Sequence, residues 1–163
     1  MVAFPLRLRQ HFDETSVLGN ILMTWEITSS PSGSDESIVS NGVCDHGRRL
    51  ASDGKAQALA CFLRVDGKVL AGGVGRTEFR RLFITSVWVT ESLRGQGIGS
   101  EIISRMEREA VARKCQDALI ETLLEPNVRL YERLGYHSLA RIPKYVGDFT
   151  RHIMLKSLVE SGT

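Results

Sequence analysis

The residues whose types and spacing are best suited to chemistry are Arg94-Gly95-Gln96-Gly97-Ile98-Gly99. Gly95, Gly97 and Gly99 leave this stretch without bulk, so its backbone N–H groups can turn toward one point. A helical pattern begins at once after it, and the first turn of a helix offers N–H donors without intrahelical acceptors at the positive end of the helix dipole. That combination binds phosphate or pyrophosphate. Arg94 and the hydroxyl of Ser100 add donors. The alternative is a left-handed turn that binds nothing. The spacing departs from the dinucleotide fingerprint, because the third glycine comes one residue early and the loop follows a late strand rather than the first. It also lacks the Gly-Lys-Ser or Gly-Lys-Thr of a nucleoside triphosphate loop.

The elements around the loop must position it. Residues 82–90 form a near-continuous apolar, β-branched run, expected to be a central strand covered on both faces. After the loop, Ile98, Ile102, Ile103, Met106 and Ala110 recur at helical spacing and predict an amphipathic helix ending near Lys114. Residues 117–123 read as another buried strand. Pro126 opens a short helix, Leu130 and Leu134 share one face of it, and Gly135 stops it. Upstream, Asp66-Gly67 between two β-rich runs, 56–65 and 68–77, is a two-residue hairpin signal. Gly72-Gly73-Val74-Gly75 predicts a bulge or a close backbone approach. A strand over 21–28 is expected to open the domain, and a helix capped by Ser34 or Asp35 to run to about Leu50, weakened by Gly42 and Gly47. Two strands, about 136–142 and 149–157, close the chain. The first 20 residues have no clear period beyond an edge-strand candidate at residues 4–9, and read as an extension to a single domain over 21–163.

Bulk properties narrow the function classes. The 163 residues suit one domain, and 42% hydrophobic with 25% charged residues is ordinary for a soluble globular chain. A net charge of +2 argues against nucleic acid or an anionic membrane as the main partner. No run is long enough for a membrane span and no signal peptide is apparent, so a cytoplasmic location is expected. Cys44, Cys61 and Cys115 are odd in number and scattered, which reads as reduced thiols, and neither they nor the four histidines have metal-ligand spacing.

Two landmarks give a resemblance. Arg94-x-x-Gly97-x-Gly99, preceded by Val87-Trp88-Val89 and followed by an amphipathic helix, resembles the acyl-CoA signature of the GCN5-related N-acetyltransferase (GNAT) superfamily. Leu130-Tyr131-Glu132-Arg133-Leu134-Gly135-Tyr136 resembles its second landmark, the Tyr-Glu-x-Leu-Gly-Phe/Tyr helix end, in the expected order and separation. The similarity covers about residues 21–158. The closing stretch, 145–158, is similar to a group of uncharacterised bacterial GNAT proteins but carries Phe149 where they have histidine, which puts any shared specificity in doubt.

The resemblance implies an α/β GNAT fold, a mixed and mostly antiparallel sheet of six or seven strands flanked by helices. It implies acetyl-CoA as co-substrate, no metal, and direct attack of a primary amine on the thioester. The acceptor is a small molecule or a protein, and a homodimer is common among relatives. Val87 and Val89 are then backbone contacts to the donor, with Trp88 between them alternating away into packing. Arg94, Gly95, Gln96, Gly97, Ile98, Gly99 and Ser100 surround the pyrophosphate. Tyr131 is the proton donor to the leaving thiolate, since a phenol of pKa about 10 is protonated where a thiol of about 8.5 begins to ionise. Its other role is as a half-buried packing aromatic. Glu121 is the base candidate and equally an arginine partner, Glu78 and Asp148 stand behind it, and Asn127 lies too close to Tyr131 to match the asparagine of relatives. The competing readings are a non-catalytic acyl-CoA-binding module and a fold for another nucleotide.

Overall fold

The computed structural model describes residues 15–18, 21–51 and 55–159. The edge-strand candidate at 4–9 lies outside them. Contacts divide the chain into two compact units, residues 1–44 and 45–163.

In the first unit, β1 (Thr15–Leu18) and β2 (Ile21–Thr24) pair antiparallel from Thr15↔Thr24 to Leu18↔Ile21 and form a sheet of their own. The strand expected over 21–28 is therefore half as long, and its partner comes from the segment in which no period was visible. Two polar residues followed by two apolar ones, Thr15-Ser16-Val17-Leu18, have no alternation to read. Ile27 is fully exposed, so no burial extends β2 past Thr24. Helix α1 (Gly33–Ala51) starts with a serine N-cap. The Asp35 N–H donates to Ser32 Oγ at 3.1 Å, and that hydroxyl donates back to the Asp35 carboxylate at 2.6 Å. The cap is thus Ser32, ahead of the expected Ser34 or Asp35.

The second unit carries a six-stranded mixed sheet in the order β3-β4-β5-β6-β8-β7. Its strands are β3 (Gln57–Val65), β4 (Lys68–Glu78), β5 (Arg81–Val89), β6 (Asp117–Thr122), β7 (His137–Val146) and β8 (Phe149–Ser157). All neighbours are antiparallel except β5 and β6, which are parallel and joined through α2 (Ile98–Ala112); α3 (Glu125–Arg133) follows β6. Asp66 and Gly67, at φ 48° and 77°, form the expected hairpin turn between β3 and β4. The β4–β5 turn does the same with Phe79 and Arg80 at φ 50° and 57°, residue types that gave no turn signal.

The glycines of β4 satisfy both expectations placed on them. A Cβ on Gly73 would lie 2.6 Å from Met106 Sδ and 2.8 Å from Ile102 Cγ2, so α2 packs directly against the strand backbone. At Gly75 it would lie 2.1 Å from the Phe83 carbonyl oxygen, where the ladder slips: Val74 pairs with Ser86 and Gly75 with Ile84, leaving Thr85 as the extra residue of a β-bulge. The bulge reverses the alternation of β5. Leu82 and Ile84 are buried beneath α2, whereas beyond Thr85 it is Val87, opposite Gly73, that faces the helix. Ser86 and Trp88 turn to the other face and are exposed, which corrects the expectation of a strand covered on both faces along its length.

Ile102, Ile103 and Met106 of α2, each no more than 3% exposed, close the core over Leu82, Ile84, Ala118, Ile120 and Met154. Each such side chain contributes about 1.5–3 kcal/mol by leaving water. A buried polar group locks the same helix to the sheet: Glu107 accepts from Tyr136 Oη at 2.8 Å and from Lys156 Nζ at 2.6 Å. Burial and the Glu107 carboxylate push the Tyr136 phenol far above its ordinary range.

The bulge leaves no room for a side chain at position 75. Gly75→Ala should cost about 1–3 kcal/mol, read as a lower urea midpoint at unchanged slope. A wild-type midpoint would show that the slip accommodates a methyl group.

Candidate active site

The register between β5 and β6 runs only from Arg81↔Asp117 to Ile84↔Ile120. It is anchored at its base by a two-pronged pair in which Arg81 donates to Asp117 at 2.5 and 2.8 Å, a contact that also raises the Arg81 pKa. Past Ile84 the strand stays paired to β4 as far as Ala71↔Val89 and has left β6. The Thr90 N–H donates to Leu70 O at 2.9 Å, so antiparallel alternation turns the main-chain groups of Trp88 and Ser86 toward β4 and those of Val87 and Val89 away from it, into the gap.

That gap is one side of a cavity of about 620 Å³. Its walls are Val87, Trp88 and Val89 from β5, the loop and first turn of α2 from Leu93 through Ser100, Ile103, and one stripe of α3 made by Pro126, Asn127, Leu130, Tyr131 and Arg133. The loop reaches it through a single turn of 3-10 helix, Glu91–Leu93, after which Gly95 and Gly97 adopt φ of 75° and 80°. Nothing lies within 4 Å of a Cβ at either glycine, so the left-handed backbone, not space, requires them. Gly97 is the N-cap and has no side chain to satisfy the helix end. The first α2 bond runs from Glu101 N–H to Gly97 O at 3.0 Å, leaving the amides of Ile98, Gly99 and Ser100 without intrahelical acceptors, the donor set an anion needs.

Gly99 differs from its neighbours. It has ordinary helical backbone, and a Cβ there would touch only Val89 Cγ2 at 3.9 Å. Neither conformation nor packing within the protein calls for glycine, and the space its missing side chain leaves lies on the cavity wall. This is a cradle that a ligand would fill. No Asp or Glu lines the cavity, while Arg94 and Arg133 do. Arg94 is tied to the strand by Nε donating to Val89 O at 3.1 Å.

Tyr131, 6% exposed, lies on the α3 wall, its ring 6.0 Å from that of Tyr136. Burial raises its phenol above the ordinary value, so the hydroxyl holds its proton through neutral pH. The start of α3 is fixed by Thr122 Oγ1, which accepts from the Leu124 N–H at 3.1 Å and from Asn127 Nδ2 at 3.2 Å. Buried His152 stands against the same turn: its Nε2 lies 3.0 Å from the Glu125 carboxylate, near enough for attraction but out of line for a hydrogen bond.

The structure thus brings Val87, Val89, Arg94, Gly95, Gly97, Ile98, Gly99, Ser100 and Tyr131 to one cavity. Trp88 also lines it, and at 52% exposed it is not the packed residue expected. Gln96 is turned back, donating to Ser92 O at 3.2 Å. Glu121 is elsewhere. Alternation puts it on the face opposite Ile120, and its Oε2 accepts two bonds from Arg151, which also donates to Tyr145 Oη. The arginine partnership is thus the observed one. Glu78 pairs with Arg76 at the far end of β4, and Asp148 sits in the β7–β8 turn. Asn127, set aside because of its spacing, does line the cavity; Arg133 and Ile103 gave no separate sequence signal.

A splayed parallel pair has free helix-end amides at its mouth and a buried phenol on the opposing wall, an arrangement whose chemistry suits an extended anion. The chain belongs to the acetyltransferase (GNAT) family, whose model matches residues 22–136. It is 33% identical over 93 residues to the blasticidin-S acetyltransferase of Streptomyces morookaense, spanning 56% of this chain and 68% of that one. Among solved structures, a candidate acetyltransferase from Agrobacterium tumefaciens superposes with a TM-score of 0.78 at 24% identity, covering 83% of this chain and 99% of the other. An aminoglycoside 6′-N-acetyltransferase in complex with coenzyme A shares the fold at a TM-score of 0.58 and 15% identity, over 65% and 76% of the two chains. The GNAT family takes its acyl group from acetyl-CoA.

Gly99 should separate stability from binding. Gly99→Ala is expected to strengthen α2 by about 0.5–1 kcal/mol while weakening affinity for CoA about tenfold or more, the equivalent of about 1.4 kcal/mol. Unfolding curves and calorimetric titration read the two effects; unchanged CoA affinity would remove Gly99 from the ligand wall.

Proposed function

We propose that this chain is an acetyl-CoA-dependent N-acetyltransferase that acts on a primary amine in the cytoplasm. The observation that carries the reading is the meeting, in one cavity, of the amide cradle at Gly97–Ser100 with the buried, protonated Tyr131. In this reading the pyrophosphate of the donor rests on the cradle and Arg94, and its pantetheine arm runs along the main-chain groups of Val87 and Val89. The neutral amine nitrogen attacks the thioester carbonyl carbon, the C–N bond forms and the C–S bond breaks; the departing thiolate takes the Tyr131 proton, and the proton lost from the nitrogen passes through water to return the tyrosinate to its phenol. Much of the acceleration comes from holding the two reactants in line. The acceptor is proposed to be a small molecule, supported by the relative whose name carries one, blasticidin S. Glu121 holds Arg151 through its Oε2 on the face of β6 opposite Ile120 and is given no part in this step.

Thiol release from acetyl-CoA over a panel of amines, with thermal shift by CoA, tests the proposal. Tyr131→Phe should lower turnover by about 10²–10⁴-fold, the usual contribution of a positioned proton donor, with CoA affinity retained. Because burial raises the phenol, wild-type turnover should lose its acid-dependent limb only above about pH 10, as the proton leaves. Absence of any CoA-induced shift would overturn the assignment. A CoA shift without turnover on any amine would favour an acyl-CoA-binding module.

A further inference from the structure

We infer that Arg133 reads the 3′-phosphate of coenzyme A and makes the site selective for CoA over its 3′-dephospho form. The inference rests on the proposed use of the cavity for acetyl-CoA and adds a residue to it. Coenzyme A carries three phosphoryl groups, two in the pyrophosphate and one monoester on the ribose. A monoester holds about 1.5–2 negative charges at pH 7 and needs a cation where diester oxygens can be held by amides.

The cavity contains two cations and no carboxylate. Arg94 belongs to the loop, since its Nε is fixed on Val89 O beside the amide cradle. Arg133 stands on the other wall, the last residue of α3. It is exposed and, among the described residues, has no acidic partner. Six other arginines of this unit, Arg76, Arg81, Arg105, Arg108, Arg113 and Arg151, each meet a carboxylate, and Arg133 does not. A guanidinium with no carboxylate to answer it, bordering a cavity built for an anion, is suited to two-pronged recognition of a phosphate. Arg129, one turn earlier on α3, does not line the cavity and serves as the comparison.

The experiment measures the affinity of the full chain for CoA and for 3′-dephospho-CoA by calorimetric titration. Wild type should prefer CoA about tenfold or more. Arg133→Gln should bring that ratio close to one, Arg133→Lys should keep part of it, and Arg129→Gln should keep it whole. Melting temperature confirms that each variant is folded. Equal affinity of wild type for both ligands overturns the inference while leaving the acetyl-CoA reading intact, as does an Arg133→Gln variant that keeps the preference. Loss of the preference in Arg129→Gln to the same degree would assign it to diffuse charge and not to Arg133. Binding of neither ligand overturns the inference and the functional reading together.

Discussion

One extra residue in β5 sets the geometry of everything that follows it. Parallel strands joined through a helix would ordinarily stay paired for their shared length, and β5 and β6 do so for four residues, Arg81 to Ile84. Thr85 then has no partner of its own in β4, and the strand leaves β6 there. The slip is possible because the opposing residue is Gly75, whose place would put any Cβ 2.1 Å from a carbonyl oxygen. From this one irregularity come the gap between the strands, the turning of Val87 and Val89 toward α2, and main-chain groups that face the gap instead of a neighbouring strand. The Arg81–Asp117 pair below the bulge and the pairing to β4 above it confine the opening to one end of the sheet.

The site is then made mainly by backbone. Its anion-binding part is three amides and a helix end, oriented by two left-handed glycines, and it depends on α2 holding a fixed position on the sheet. That position is held by apolar packing of Ile102, Ile103 and Met106 and by the buried Glu107 with its Tyr136 and Lys156 partners. Removing one member of such a group would strand the others in a poorly hydrated place, which makes the cluster a specifier of helix placement as much as a source of stability. Tyr136 immediately follows the turn that ends α3, so the cluster also ties the tyrosine-bearing helix to the one that carries the cradle. The distance across the cavity is thereby fixed by contacts outside it.

How much of this was legible depended on whether the information was local. The Asp66-Gly67 turn, the bulge near Gly72–Gly75, the helix after Ile98 and the short helix ending at Gly135 all follow from residues close in sequence, and the structure contains each of them. The turn of the loop before α2 was legible for the same reason, since Gly95 and Gly97 signal left-handed backbone by themselves. The pairing of Thr15–Leu18 with Ile21–Thr24 was not, because four-residue strands have too little alternation to register. Nor was the Phe79–Arg80 turn, where the hairpin imposes positive φ on residues that resist it. Asn127 and Glu121 show the limit for side chains. The spacing of Asn127 from Tyr131 argues against a place in the site, and Glu121 in sequence fits a base and an arginine partner equally. The α3 stripe places the first on the cavity wall, and strand alternation places the second on the opposite face with Arg151.

This division has a consequence for specificity. A cavity wall formed by main-chain amides and glycines is insensitive to most substitutions nearby, because what it offers a ligand is conformation. Side chains enter only where the ligand presents something backbone cannot neutralise, and in this cavity the charged ones are Arg94 and Arg133 alone. The opposite face of the sheet, with Glu121, Arg151 and Tyr145 in one hydrogen-bonded cluster, is built the other way, from side chains on three strands that pair with each other. A single substitution there breaks a partnership and reshapes the surface. Change in what the sheet meets on that face can therefore proceed without disturbing the loop and the first turn of α2, which is the physical reason the glycine-rich loop carries no record of that face.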